Sequence, residues 1–200
     1  MQTKYSYWLF RDAIQEKDRK KIKHLASKSG YKEATMKPDD DFKNATPDKK
    51  LRNSSSSFSD DQYFYELFCP FVGNANRDAG WNYDIDWYEN VQIARYKKDQ
   101  HYSWHKDGAG DHFGVYTDQG NLNGKVRKLS LVSCISNGFD GGELEFSIQG
   151  SAENKNLIFT PELKIGDVIV FPSFVQHRST PITKGIKYSV AMWCLGPPFR

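Results

Sequence analysis

Ile165-Gly166-Asp167-Val168-Ile169-Val170-Phe171-Pro172 is the stretch on which the fold turns. Glycine reaches positive φ without steric cost and aspartate can bond its own neighbouring backbone, so Gly166-Asp167 predicts a tight turn. The four residues that follow are all apolar and all β-favouring, the pattern of a buried strand.

Working outward, the same texture recurs in Val91 to Tyr96, Lys128 to Ser136, Glu143 to Ile148, Asn156 to Thr160 and Lys187 to Leu195. Turn signals separate these runs, most clearly Asn137-Gly138-Phe139-Asp140-Gly141-Gly142, where Gly141-Gly142 reads as a tight turn opening a hairpin. Short strands at this spacing predict a sandwich or jelly roll, here a double-stranded β-helix core over residues 91–200.

Residues 1–90 read as helices and polar loops that support that core. One helix is expected from Arg11 to about Ser29. A second should follow Ser59-Asp60-Asp61, which offer N-cap side chains, and a third should lie around Phe68 to Ala79. Lys37-Pro38-Asp39-Asp40-Asp41 and the run Ser54 to Ser57 read as loops. With 200 residues, 38% of them hydrophobic and 14% aromatic, the chain suits one core. The expectation is a single domain, residues 1–200, mainly β, with the N-terminal helices packed on one sheet.

Charge excludes some functions. The formal net charge is +3, and the basic cluster Lys17 to Lys23 lies among Ile14, Ile22 and Leu25, apolar positions near helical spacing that mark an amphipathic helix with a solvated face. No basic stripe points to nucleic acid. The three cysteines, Cys69, Cys134 and Cys194, form no C-x-x-C pair and suggest no disulfide framework. Neither a signal peptide nor a membrane span is legible, so a soluble, cytoplasmic protein is expected.

Chemistry concentrates in Trp104-His105-Lys106-Asp107, His177 and Lys187. Two imidazoles and one carboxylate can occupy one face of an octahedral ferrous ion and leave the other face open. On an extended strand residues i and i+2 share a face, so His105 and Asp107 can reach one ion while Lys106 points away. His177 must arrive from a second strand end, and a lysine near the open face could hold an acidic co-substrate.

Each feature also has a plainer reading. H-x-D is common by chance, Lys187 could be an exposed strand lysine, and Tyr96, Tyr102, Trp104, Phe113, Tyr116 and Trp193 could be packing residues. Glu143 and Glu145 read as outward strand carboxylates, His101 and His112 as surface or supporting histidines. Gly108 to Tyr116, rich in glycine and directly after the metal motif, reads as a mobile loop that covers bound substrate.

The ordered series Ile93-Ala94-Arg95-Tyr96, His105-Lys106-Asp107, Arg127-Lys128-Leu129-Ser130, Phe139 to Leu144, Gly166 to Pro172, His177, Pro181 to Gly185, Lys187-Tyr188-Ser189 and Trp193 resembles the 2-oxoglutarate- and Fe(II)-dependent dioxygenases, in particular their prolyl 4-hydroxylase-like branch. The resemblance implies that His105, Asp107 and His177 ligate iron and that Lys187 meets the distal carboxylate of 2-oxoglutarate. Tyr96 is implied as a second donor to that co-substrate, with Ser189 a weaker contributor. Lysine rather than arginine at position 187 matches the prolyl 4-hydroxylase branch. Other relatives place a tyrosine where this chain has Cys134. Tyr102, Trp104, Arg127 and Trp193 are candidate substrate contacts, though for Arg127 a structural ion pair is an equal alternative.

The implied reaction uses Fe(II), O2 and 2-oxoglutarate, releases succinate and CO2, and calls for ascorbate as reductant. The implied substrate is a prolyl residue in a peptide or protein. Another amino-acid side chain, a free amino acid or a small metabolite is the alternative within the same chemistry. A jelly-roll binding domain without catalysis is the alternative outside it. An arginine-rich signature after the last ligand, as in nucleic-acid demethylases, is missing.

Overall fold

In the computed structural model, residues 4–34, 48–108, 113–117, 119–149 and 156–199 are described. The first part of the chain forms β1 (Trp8–Phe10), α1 (Glu16–Ser29), β2 (Lys32–Glu33), β3 (Arg52–Asn53), β4 (Ser55–Ser59), α2 (Gln62–Asp78) and β5 (Trp87–Tyr88). There follow β6 (Val91–Tyr96), β7 (His101–His105), β8 (Val126–Cys134), β9 (Asp140–Gly141), β10 (Leu144–Gln149) and β11 (Asn156–Phe159). Last come β12 (Val168–Pro172), β13 (Gln176–Ser179), β14 (Ile182–Lys184) and β15 (Lys187–Gly196).

Among the described residues these strands make a major sheet in the order β1-β12-β8-β15-β6-β4-β2, with β5 on β15, and a minor sheet in the order β11-β10-β13-β7-β3. All pairings are antiparallel. The protein is mainly β, two sheets with helices on one of them, as the strand texture predicts.

Strand periodicity assigns the faces. Val168 and Val170 of β12 pack with the helices, together with Leu129 and Leu131 of β8 and Val190, Met192 and Cys194 of β15. Against them lie Ile22 and Ala26 of α1 and Phe64, Phe68, Val72 and Ala75 of α2. Ile169 and Phe171, one residue out of phase, instead meet Leu144 and Phe146 of the minor sheet. The turn through Gly166 forms as expected, with Gly166 at φ 86°. Its Asp167 carboxylate accepts from the backbone N–H groups of Asp12 and Lys164 and from Arg11.

Several expectations need correction. Ser55–Ser59 is a strand, β4, with Ser56 and Ser57 buried against β6. Four of its five residues are serine, which hides the alternation that normally marks a strand. The two helices expected after Ser59 are one, α2, which runs through Pro70. Phe64, Phe68, Val72 and Ala75 keep one apolar stripe, and its burial on the sheet outweighs the backbone bond that proline removes.

Asp61 caps α2 by accepting from the Tyr63 N–H at 3.0 Å. Gly141-Gly142 opens no simple hairpin, because β9 pairs with β14 in a two-stranded clip before β10 begins. Residues 1–90 are also more than helix and loop, since β1 and β4 extend the major sheet and β3 the minor one. Lys37 to Asp41 lies outside the described residues.

Candidate active site

The antiparallel partnership of β13 and β7 puts His177 directly opposite His105. Their rings lie 4.2 Å apart between centroids, tilted by 53°. Asp107 arrives differently from the strand argument. The ladder of β7 ends at His105, and Asp107 sits in the bend that follows.

Two bonds fix Asp107 there. Its N–H donates to the Ser173 carbonyl at 2.9 Å, and its Oδ2 accepts from the Ser130 hydroxyl at 2.7 Å. Ser130 is in turn 2.9 Å from the Ser173 hydroxyl, so the β12–β13 turn and β8 together hold the carboxylate.

The three side chains converge. His105 Nε2 lies 3.8 Å from Asp107 Oδ1 and His177 Nε2 lies 3.5 Å from Asp107 Oδ2. One donor atom from each residue falls within 4.8 Å of the others. Each histidine commits Nδ1–H to the backbone carbonyl two residues before it, Ser103 at 2.8 Å and Val175 at 2.9 Å. That tautomer turns both Nε2 lone pairs toward the shared point.

Burial, reinforced by the facing His177, holds the His105 pKa down to about 3, so the imidazole stays neutral. Burial alone would raise the Asp107 carboxyl, but the two imidazoles, Arg127 and the Ser130 hydroxyl hold it below its ordinary range. Two imidazole nitrogens and one carboxylate make a donor set that fits a divalent first-row metal.

A cavity opens beside the triad. Its empty volume, mouth included, is about 570 Å³. The same two-residue period that sends Val190, Met192 and Cys194 to the helices sends Lys187, Ser189, Ala191 and Trp193 of β15 into it. Tyr96 of β6 lines it too, directly opposite Lys187 in the ladder.

Lys187 is only 7% exposed, which removes its reading as a surface lysine. Its Nζ donates to the Gly142 carbonyl at 2.6 Å, and burial lowers its pKa. Gly142 has φ 69°, and an added Cβ would stand 3.2 Å from Lys187 Cδ and 2.3 Å from Ile182 Cδ1.

The candidate substrate residues divide. Tyr102 lines the cavity and stacks on His105 at 3.5 Å, and Trp193 lines the cavity as well. Trp104 does not; its ring lies 4.7 Å from the Arg178 guanidinium. Arg127 is drawn into a two-pronged ion pair with Glu89, at 2.6 and 2.7 Å, and lies over Trp193.

Glu145 pairs with Arg178 at 2.6 Å, while Glu143 is exposed. His101 is 3.2 Å from the Lys50 carbonyl, away from the triad's donor group. His112 and residues 109–112 of the expected covering loop lie outside the described residues. Cys134 is buried, its thiol 3.3 Å from the Ser136 carbonyl. Sequence reasoning missed Arg52, which sits in a stretch that reads as a polar loop and becomes interior only when β3 pairs with β7.

A jelly roll with a two-histidine, one-carboxylate centre beside a buried cation defines a mononuclear metal oxygenase site. Residues 91–195 match the profile of the 2OG-Fe(II) oxygenase superfamily, and the chain belongs to that superfamily. It is 29% identical over 86 residues to a PKHD-type hydroxylase of Idiomarina loihiensis, covering 42% of this chain and 37% of that one. The chain spans only about 40% of the length of the curated PKHD-type relatives.

Among solved structures it is similar to the viral collagen prolyl hydroxylase of Paramecium bursaria Chlorella virus-1. The TM-score is 0.64 at 17% identity, covering 96% of this chain and 97% of that one. A Trichoplax adhaerens prolyl hydroxylase, solved with a hypoxia inducible factor peptide, gives a TM-score of 0.69 at 13% identity, covering 96% and 84%. These likenesses establish the fold. Among the described residues no helix is long and apolar enough to cross a membrane.

Proposed function

We propose that the protein is a 2-oxoglutarate- and Fe(II)-dependent dioxygenase that hydroxylates a prolyl residue of a peptide or protein. The convergence of His105, Asp107 and His177 beside the buried Lys187 carries this reading. When bound, Fe(II), O2 and 2-oxoglutarate supply the oxidising chemistry, in which the co-substrate ends as succinate and CO2 and one oxygen atom enters a substrate C–H bond. Ascorbate is the reductant this chemistry calls for.

The chain's own residues do the placing. His105, Asp107 and His177 would hold the metal beside the cavity. Lys187, desolvated and aimed into the cavity, meets the far carboxylate of the co-substrate, with Tyr96 and Ser189 beside it. Tyr102 and Trp193 present aromatic walls suited to a pyrrolidine ring. The prolyl assignment draws support from the lysine at position 187 and from relatives described as prolyl hydroxylases.

The test is incubation with Fe(II), 2-oxoglutarate, ascorbate and a panel of proline-rich peptides. Succinate should form and a peptide should gain the mass of one oxygen atom, both lost in His105→Ala. Succinate without any modified peptide would move the substrate to a free amino acid or small metabolite.

A further inference from the structure

We infer that Arg52 is a specificity-determining residue that binds a carboxylate of the substrate, at the end of the cavity remote from Lys187. The inference rests on reading the cavity as the oxygenase site. Arg52 is 7% exposed and lines that cavity. Its Nε donates to the Ser54 hydroxyl at 3.1 Å, and its Nη2 to the Ser56 hydroxyl at 3.2 Å and to Gln92 Oε1 at 2.9 Å. Its guanidinium carbon lies 4.6 Å from the centre of the Tyr102 ring, which itself stacks on His105.

Every one of these partners is neutral. Among the described residues Arg52 has no carboxylate partner, and its Nη1 donates to nothing. A buried guanidinium without a counter-ion has borne the cost of desolvation without the compensating attraction. The other two cavity-lining cations are accounted for, since Arg178 pairs with Glu145 and Lys187 is assigned to the co-substrate.

Charge counting isolates the same residue. The two positive charges of a ferrous ion and the one of Lys187 would balance Asp107 and the two carboxylates of 2-oxoglutarate. Arg52 is left over. It is also oriented, because the two hydroxyls and Gln92 fix its fork, and an anion reaching Nη1 would meet a charge-assisted bond in a dry setting.

Position separates Arg52 from the co-substrate pocket. Gln92 and Tyr96 share the cavity face of β6, four residues or about 13 Å apart along the strand. Arg52 is tied to Gln92, whereas Lys187 is the ladder partner of Tyr96. The triad residue His105 is reached from Arg52 through Tyr102. A substrate group at Arg52 therefore places the neighbouring part of the substrate beside the metal centre, not in the co-substrate's place. The matching chemistry is a carboxylate, either an acidic side chain next to the target residue or a free α-carboxylate.

The test is an equilibrium titration of the full chain, loaded with Fe(II) and 2-oxoglutarate under anaerobic conditions so that no turnover occurs, with matched charged and neutral probes. One pair is a capped proline peptide carrying glutamate or glutamine beside the proline. A second is a proline peptide ending in a free carboxylate or an amide, and a third is N-acetylglycine or its amide.

At least one charged member should bind about tenfold tighter than its neutral match, as expected for a bond to a charged group. Which pair responds identifies the source of the carboxylate. Arg52→Met should erase the preference and Arg52→Lys should keep part of it, whereas a purely structural arginine would weaken both members alike. Equal binding within all three pairs of the wild-type protein, or a preference that survives in Arg52→Met, overturns the inference. The third pair contains no proline, so it reads Arg52 even if the prolyl assignment fails.

Discussion

His177 and His105 are direct partners across the β13–β7 ladder, each with Nδ1–H bound to the carbonyl two residues before it. Pairing and tautomer together leave two Nε2 lone pairs aimed at the point that Asp107 also faces. Replacing any one of the three by alanine removes a ligand and leaves the other two in place. His105→Ala, Asp107→Ala and His177→Ala should each lower Fe(II) affinity by about 100-fold or more, extrapolating from the 10–100-fold costs of losing a mere supporting partner. Metal titration followed by succinate assay checks this.

Ser130→Ala tests the support of the carboxylate. The Ser130 hydroxyl donates to Asp107 Oδ2 at 2.7 Å in a buried setting. Its loss should weaken metal binding by roughly tenfold while the fold persists. Fe(II) affinity should fall, and the circular dichroism spectrum should stay unchanged.

The lysine pocket makes a separate forecast. Lys187→Met should raise the apparent KM for 2-oxoglutarate by about tenfold or more, because the distal carboxylate loses a charge-assisted bond. Gly142→Ala should act on the same parameter from outside, since its Cβ would press on Lys187 and Ile182 at a backbone φ of 69°. A steady-state series in 2-oxoglutarate, with unchanged dependence on O2, is the measurement.

Acid stability should depend on Asp167. Burial would raise its carboxyl, but the backbone N–H groups of Lys164 and Asp12 and the Arg11 guanidinium hold it below the ordinary aspartate range. A depressed folded-state pKa stabilises the fold above the unfolded value, and that contribution drains away as pH falls through the folded value. Asp167→Asn should therefore cost about 1–3 kcal/mol near neutral pH, and the gap to wild type should shrink below about pH 4. Urea unfolding at a series of pH values checks the sign.

Arg127 and Glu89 form a nearly enclosed pair beside Trp193. Removing one partner strands the other's charge, so Arg127→Met should destabilise the protein by about 3–5 kcal/mol. The double replacement Arg127→Met with Glu89→Leu should recover much of that loss. Thermal melts of the two variants check this.

Reading the chain alone, the runs Val91–Tyr96, Val168–Phe171 and Lys187–Leu195 were legible as strands because apolar, β-branched residues bounded by glycine turns leave few alternatives. His105, Asp107, His177 and Lys187 were legible because few side chains bind a ferrous ion or a buried carboxylate. Ser55–Ser59 and Arg52 were not. Polar residues carry no burial signal of their own, and these are buried only because β6 and β7 pair with them.

What the sequence determined by itself was the chemistry on offer and the β texture, since both reside in residue types and in spacings of a few positions. What the tertiary structure decided was convergence. The β13–β7 register, the Ser130–Ser173 clamp on Asp107 and the enclosure of Lys187 and Arg52 all join residues far apart in the chain, through backbone pairing that no local pattern encodes.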